Sequence, residues 1–163
     1  MRRREFIGGV LSTAAWPLAA RAQQPEQMRR VGVLMNAVAG DPNGEVRIEA
    51  FKQTLQQLGW SEGRNVRIDI RWGGNVVERD RRYAAELIAL APDVILAVGT
   101  LSVTALQRDS HATPIVFNSV SDPVGAGFVN NLAHPGGNVT DFMIFEYSMG
   151  GKWLELLKQI VPQ

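Results

Sequence analysis

The sequence predicts an α/β fold: a doubly wound parallel sheet of strand order 2-1-3-4-5 with a trailing C-terminal helix. Three observations carry this. The run Val94-Ile95-Leu96-Ala97-Val98 is apolar at every position, as in a strand buried on both faces of a parallel sheet. Strand-like and helix-like stretches alternate along the chain, which implies right-handed crossovers and helices on both faces. The segment from Asn65 to Trp72 alternates instead, with Val66, Ile68, Ile70 and Trp72 against Arg67, Asp69 and Arg71, and so belongs at an edge.

The chain has 163 residues, enough to bury a core without staples, and no cysteine, which excludes disulfides, thiolate metal sites and a lipid anchor on cysteine. Its net charge of +1 is an average over unlike parts. Residues 1–22 carry Arg2, Arg3, Arg4 and Arg21 against Glu5, and the remainder holds 13 basic and 15 acidic residues, a net of −2. A slightly acidic body gives no reason to expect nucleic acid or an anionic membrane surface.

Residues 1–22 read as an export signal. A basic start is followed by the apolar run Gly8 to Ala20 and the small-x-small site Ala20-Arg21-Ala22, so cleavage is expected after Ala22 and the mature chain in the periplasm. Arg3-Arg4-Glu5-Phe6-Ile7 fits the twin-arginine pattern, with a general secretory signal as the alternative. Residues 23–29 form a leader.

The first strand is Arg30 to Met35, and Asn36 to Gly44 is rich in turn formers and long enough to reach over a ligand. The first helix places Ile48, Phe51, Leu55 and Leu58 on one face and stops at Gly59. After the edge strand, a second helix over 77–91 carries Ala84, Leu87, Ile88 and Ala91, and Pro92 ends it. The third strand leads through Gly99 into a helix over 101–109, and Thr113 to Phe117 forms the fourth strand. A short helix is expected over 124–129, then a fifth strand from Val139 to Phe142. Last comes an amphipathic helix, Ser148 to Val161, with Met149, Trp153, Leu156, Leu157 and Ile160 on one side.

In open α/β sheets, ligands bind beyond the carboxyl ends of the strands, at the switch point in strand order. Here that point lies between strands one and three. It brings Asn36 and Asp41 beside Gly99, Thr100, Leu101 and Ser102, with Ser119, Ser121 and Asp122 adjacent. Gly99 permits close backbone approach, and the N–H groups of the following helix suit a carboxylate or another anion. Thr100 and Ser102 serve as ligand contacts, as caps of that helix, or as both, since a cap with spare donors is also a binding wall. Asp122, ahead of Pro123, has the same two readings. His111 and His134 stand alone beside turn residues, so surface loops are expected and no metal site. No G-x-S-x-G, P-loop or H-E-x-x-H occurs, and neither catalytic residue nor cofactor is expected. A phosphate-accepting receiver would need an acidic pair after strand one and an aspartate ending strand three, where Asn36 and Gly99 stand.

The chain resembles the ABC-transporter substrate-binding protein family of the type I periplasmic-binding fold. The resemblance rests on Leu58-Gly59-Trp60-Ser61-Glu62-Gly63-Arg64-Asn65-Val66, Pro92-Asp93-Val94-Ile95 and Gly99-Thr100. Above all it rests on Ser121-Asp122-Pro123-Val124-Gly125-Ala126-Gly127-Phe128-Val129 with Pro135-Gly136-Gly137-Asn138-Val139-Thr140. It extends over Arg29–Gln163, and Asp141 departs from it by replacing the usual glycine. It implies two lobes that close on a small organic, amino-acid-like ligand and deliver it to an ABC permease in the inner membrane. On this reading residues 30–142 form the N-terminal lobe and 143–163 the start of a truncated second lobe, whose open helix face is expected either to drive self-association through Ser148–Val161 or to fold back against the first lobe and blunt the ligand wall. A periplasmic enzyme on a flavodoxin-like scaffold and the ligand-sensing domain of a regulator are the alternatives.

Overall fold

The computed structural model describes residues 28–142 and 148–160; the expected export signal and cleavage site lie outside the described residues. The elements run β1 (Arg29–Met35), α1 (Pro42–Gln57), β2 (Val66–Trp72), α2 (Val77–Ala89), β3 (Val94–Val98), α3 (Thr100–Asp109), β4 (Ile115–Asn118), β5 (Val139–Phe142) and α4 (Ser148–Ile160). The sheet is parallel throughout, in the order β2-β1-β3-β4-β5. The alternating strand is at the edge and the continuously apolar one at the centre, as burial on one or both faces requires.

Successive β1 side chains enter opposite layers. Val33 and Met35 pack with Ile48 of α1, Val98, and the half-buried Phe51, Ile68, Ile70 and Trp72. Leu34 enters the larger cluster on the other face, with Ala84 and Leu87 of α2, Val103 and Leu106 of α3, and Ile95, Ile115 and Phe117. Phe117 is fully buried, and its ring meets Phe128 edge to face at 6.3 Å between centroids.

The end of the sheet away from the strand C-termini is fastened by charge. Arg30 donates from Nε to Asp69 Oδ2 at 2.7 Å and from its guanidinium to the Leu90 carbonyl, and its backbone N–H donates to Asp93 Oδ2. These bonds join β1, β2, the end of α2 and the start of β3. Arg30 holds the Asp69 carboxyl below its ordinary pKa against the opposing effect of burial. The Arg30 backbone N–H and then Arg29 do the same for Asp93.

Several elements depart from expectation. The loop after β1 is shorter, because α1 begins at Pro42 with Asp41 as its N-cap, accepting from the Gly44 N–H at 2.7 Å. Proline is tolerated at the first helical position, since its missing N–H would have no intrahelical partner there. Leu58 is not on the core face of α1; it lies beyond the last turn and is 71% exposed, while Gly59 takes the left-handed conformation. Ala91 likewise leaves the helical stripe, turning at φ 48° before Pro92. The segment 124–129 is not a helix but a pair of turns, with Ala126 N–H on the Asp122 carbonyl and Gly127 N–H on the Val124 carbonyl. Gly127, at φ 74°, diverts the chain before a second helical turn forms.

Of the expected apolar face of α4, Leu156, Leu157 and Ile160 are exposed, as is Leu154; the side chains of Met149 and Trp153 lie outside the described residues. No described helix is long and apolar enough to cross a membrane.

Candidate ligand site at the strand C-terminal ends

The site is built where β1 and β3 separate. Gly99 follows β3 at φ 88° and is the N-cap of α3, so the turn has no side chain of its own. The space is taken by Asn36, the first residue beyond β1. A β-carbon on Gly99 would lie 3.2 Å from the Asn36 Cβ and 3.3 Å from its Nδ2. The two strand ends therefore meet through one side chain and one bare backbone.

Among the described residues no side-chain cap bond is made at the α3 N-cap, so the alternative of Thr100 or Ser102 as the cap is not the one adopted. Thr100 is exposed, Leu101 half-buried and Ser102 buried at 1% exposure. The first-turn N–H groups of Thr100, Leu101 and Ser102 thus stand at the positive end of the helix dipole without a side-chain cap among the described residues, an arrangement suited to a carboxylate.

β4 brings up the neighbouring wall. The Gly99 N–H donates to the Asn118 carbonyl at 2.9 Å, fixing the end of β3 against the end of β4. Ser119 follows at φ 63°, an uncommon conformation for a residue with a side chain, and its hydroxyl lies 3.5 Å from Asn118 Oδ1. Ser121 is exposed. Asn36, Gly99, Thr100, Leu101, Ser102, Ser119 and Ser121 all fall at the same end of the sheet, as the strand order requires. The two carboxylates are employed locally. Asp41 caps α1, and Asp122 Oδ1 accepts from the Gly125 N–H at 2.8 Å. His111 and His134 are exposed, and no group of three or more potential ligands able to hold a metal occurs among the described residues.

Asp80 was not legible as a site residue. It lies in the first turn of α2, is 1% exposed, and has neither carboxylate oxygen hydrogen-bonded among the described residues. Burial pushes its pKa up, with Arg79 opposing. The signal that could have found it is its position: Asp80, Ala84 and Leu87 recur at the spacing of the buried face, so a carboxylate occupies an apolar stripe. Asn36 Oδ1 and Ser102 Oγ are the other buried side-chain atoms left without a partner among the described residues.

The profile of the family described as ABC transporter substrate binding protein matches residues 31–163. The chain belongs to that family. A tyrosine-binding protein of Clostridioides difficile is 28% identical over 138 residues, which is 85% of this chain and 39% of that protein. The crystal structure of a conserved domain protein from Vibrio cholerae matches with a TM-score of 0.70 at 28% identity, over 84% of this chain and 45% of the other. The ligand-free, open structure of a substrate binding protein with adhesive properties from Clostridium difficile matches at 0.69 and 29% identity, over 83% and 45%. An ABC domain from Streptococcus pneumonia in complex with L-Trp matches at 0.64 over 72% of this chain and 39% of that one, and at 23% identity shows shared fold alone. The chain spans less than half the length of each of these proteins. Family membership bears out the substrate-binding class.

Proposed function

We propose that this chain is the ligand-binding N-terminal lobe of a periplasmic solute-binding component of an ABC importer, taking a small amino-acid-like molecule at the C-terminal ends of β1, β3 and β4. The carrying observation is the uncapped α3 N-terminus, with Gly99 bare, Asn36 against it and Ser102 buried without a partner among the described residues. Positive helix-end potential beside buried acceptors suits a zwitterion. The relative named for tyrosine supports an amino acid as the substrate class. In this reading the export signal, residues 1–22, is of the twin-arginine type, and the ligand passes to a permease in the inner membrane. The exposed Leu156, Leu157 and Ile160 of α4 support a contact with a second copy.

The test is a thermal-shift and NMR titration of the chain against the twenty common L-amino acids and a set of small sugars and organic acids. Perturbation of Gly99–Ser102 amides by L-amino acids, with no chemical change in them, is expected. Turnover of the stabilising compound would replace the importer reading with an enzyme.

A further inference from the structure

Three buried polar groups near the C-terminal end of the sheet lack a hydrogen-bond partner among the described residues: Asn36 Oδ1, the Asp80 carboxylate and Ser102 Oγ. The elements that carry them meet at this end of the sheet. Leu34 of β1 packs in the cluster that holds Ala84 of α2 and Val103 of α3. Asn36, the first residue beyond β1, places its side chain beside Gly99, the N-cap of α3. One helical turn before Ala84, Asp80 lies on the same stripe as Ala84. Ser102 is the neighbour of Val103 in the first turn of α3, and α2 and α3 pack against each other.

The loop after β2 closes over this end of the sheet. The Gly73 N–H donates to the Met35 carbonyl and the Gly74 N–H to the Ala37 carbonyl, so the loop follows the end of β1 on both sides of Asn36. The Asp80 carboxylate sits directly against Gly73, in the place a β-carbon there would occupy.

The chemistry of the three groups is one-sided. Asn36 Oδ1 and the Asp80 carboxylate only accept, and the Ser102 hydroxyl both accepts and donates. Asp80 has no ion-pair partner among the described residues. A water molecule would supply two donors and no charge. A primary ammonium supplies three donors and the positive charge that a buried carboxylate lacks.

We propose that Asn36, Asp80 and Ser102 form the subsite for the ligand's amino group, and that Asp80 makes the site select an α-amino acid over the matching carboxylic acid. This rests on the amino-acid-binding reading above, in which the ligand carboxylate sits at the α3 N-terminus. The two subsites adjoin, because the Asn36 side chain fills the space beside Gly99 where a β-carbon would lie.

The test is an NMR titration of the 15N-labelled chain with two matched pairs, L-tryptophan with indole-3-propionate and L-alanine with propionate. In the wild-type chain the amino acids are expected to shift the Asn36 side-chain amide and to bind on the order of tenfold more tightly than their amine-free partners. Asp80→Leu completes the apolar stripe and so is expected to fold. It should abolish the tenfold preference. Asp80→Asn, which keeps shape but not charge, should fall between. Equal wild-type affinity within the pairs overturns the proposal without any variant. Undiminished preference in Asp80→Leu overturns it too, making Asp80 a structural group and leaving amino-acid binding intact. If neither L-tryptophan nor L-alanine perturbs the wild-type chain, the subsite proposal falls; the reading beneath it falls as well only if the other L-amino acids also fail.

Discussion

Gly99 and Asn36 form the joint between the two strands that diverge at the switch point: the Asn36 side chain lies where Gly99 has none, 3.2 Å from the position of a β-carbon. Both constraints act at Gly99, the space and the positive φ of 88°. Gly99→Ala is therefore expected to lower stability by about 1 kcal/mol or more, because alanine is strained at positive φ. It should also weaken amino-acid binding by displacing Asn36 and the first turn of α3. Urea denaturation checks the first expectation and an L-amino acid titration the second. Unchanged affinity in a folded Gly99→Ala chain would remove this joint from the site.

The charged fastening at the other end of the sheet gives a pH dependence of definite sign. Asp69 and Asp93 both have folded-state pKa values below their ordinary ones. The stability they contribute is thus fully present above the ordinary carboxylate pKa and is lost as pH falls through the folded values. Asp69→Asn should flatten the acid limb of a stability-against-pH curve. It should also cost roughly 1–3 kcal/mol at neutral pH, since the largely buried Arg30 loses a charged acceptor. An acid limb as steep as that of the wild type would show that the Arg30–Asp69 bond is not what sets it.

Asp80 has the opposite sign. Its folded pKa is raised, so its contribution is favourable below the unfolded value and diminishes as pH rises through the folded one. Without added ligand, Asp80→Leu is expected to be more stable than wild type at pH 7 and to gain little at pH 3, measured by thermal unfolding at the two values.

Phe117 is the largest fully buried side chain among the described residues, and its ring packs against Phe128. Phe117→Ala should cost about 3–5 kcal/mol through lost burial and the cavity left behind. Equilibrium denaturation reads this directly, and a loss under 1 kcal/mol would mean that Phe128 collapses into the space.

Export supplies a test independent of the site. If residues 1–22 are read as a twin-arginine signal, replacing Arg3 and Arg4 by lysine should leave precursor in the cytoplasm, scored by fractionation and N-terminal sequencing for cleavage after Ala22. Normal processing of that double variant would favour the general secretory route.

The exposed α4 leucines predict concentration-dependent association. Sedimentation of the chain from Gln23 should show it, and Leu157→Glu should abolish it. A monomer across the concentration range would show that this face is stable in water.

The strand order was legible because burial leaves a pattern local to each strand. Val94–Val98, apolar throughout, had to be central, and the alternating Val66–Trp72 had to be an edge. Once the order was known, the position of Asn36, Gly99 and Ser119 at one end followed from connectivity alone. Tertiary structure decided what those residues and their neighbours do. Whether Thr100 or Ser102 caps α3 depends on how the chain turns at Gly99, and that turn depends on Asn36, which is 63 residues away. Leu58 and Ala91 continue a helical period but leave the core because the helices end before them, at turns set by neighbouring backbone geometry. Asp80 shows the division most clearly. Its spacing with Ala84 and Leu87 puts it on the buried stripe, but only packing against Gly73, a contact between the loop after β2 and α2, leaves its carboxylate enclosed and unpaired among the described residues. Periodicity is a property of neighbours along the chain, whereas hydrogen-bond satisfaction depends on groups that folding brings together from distant positions.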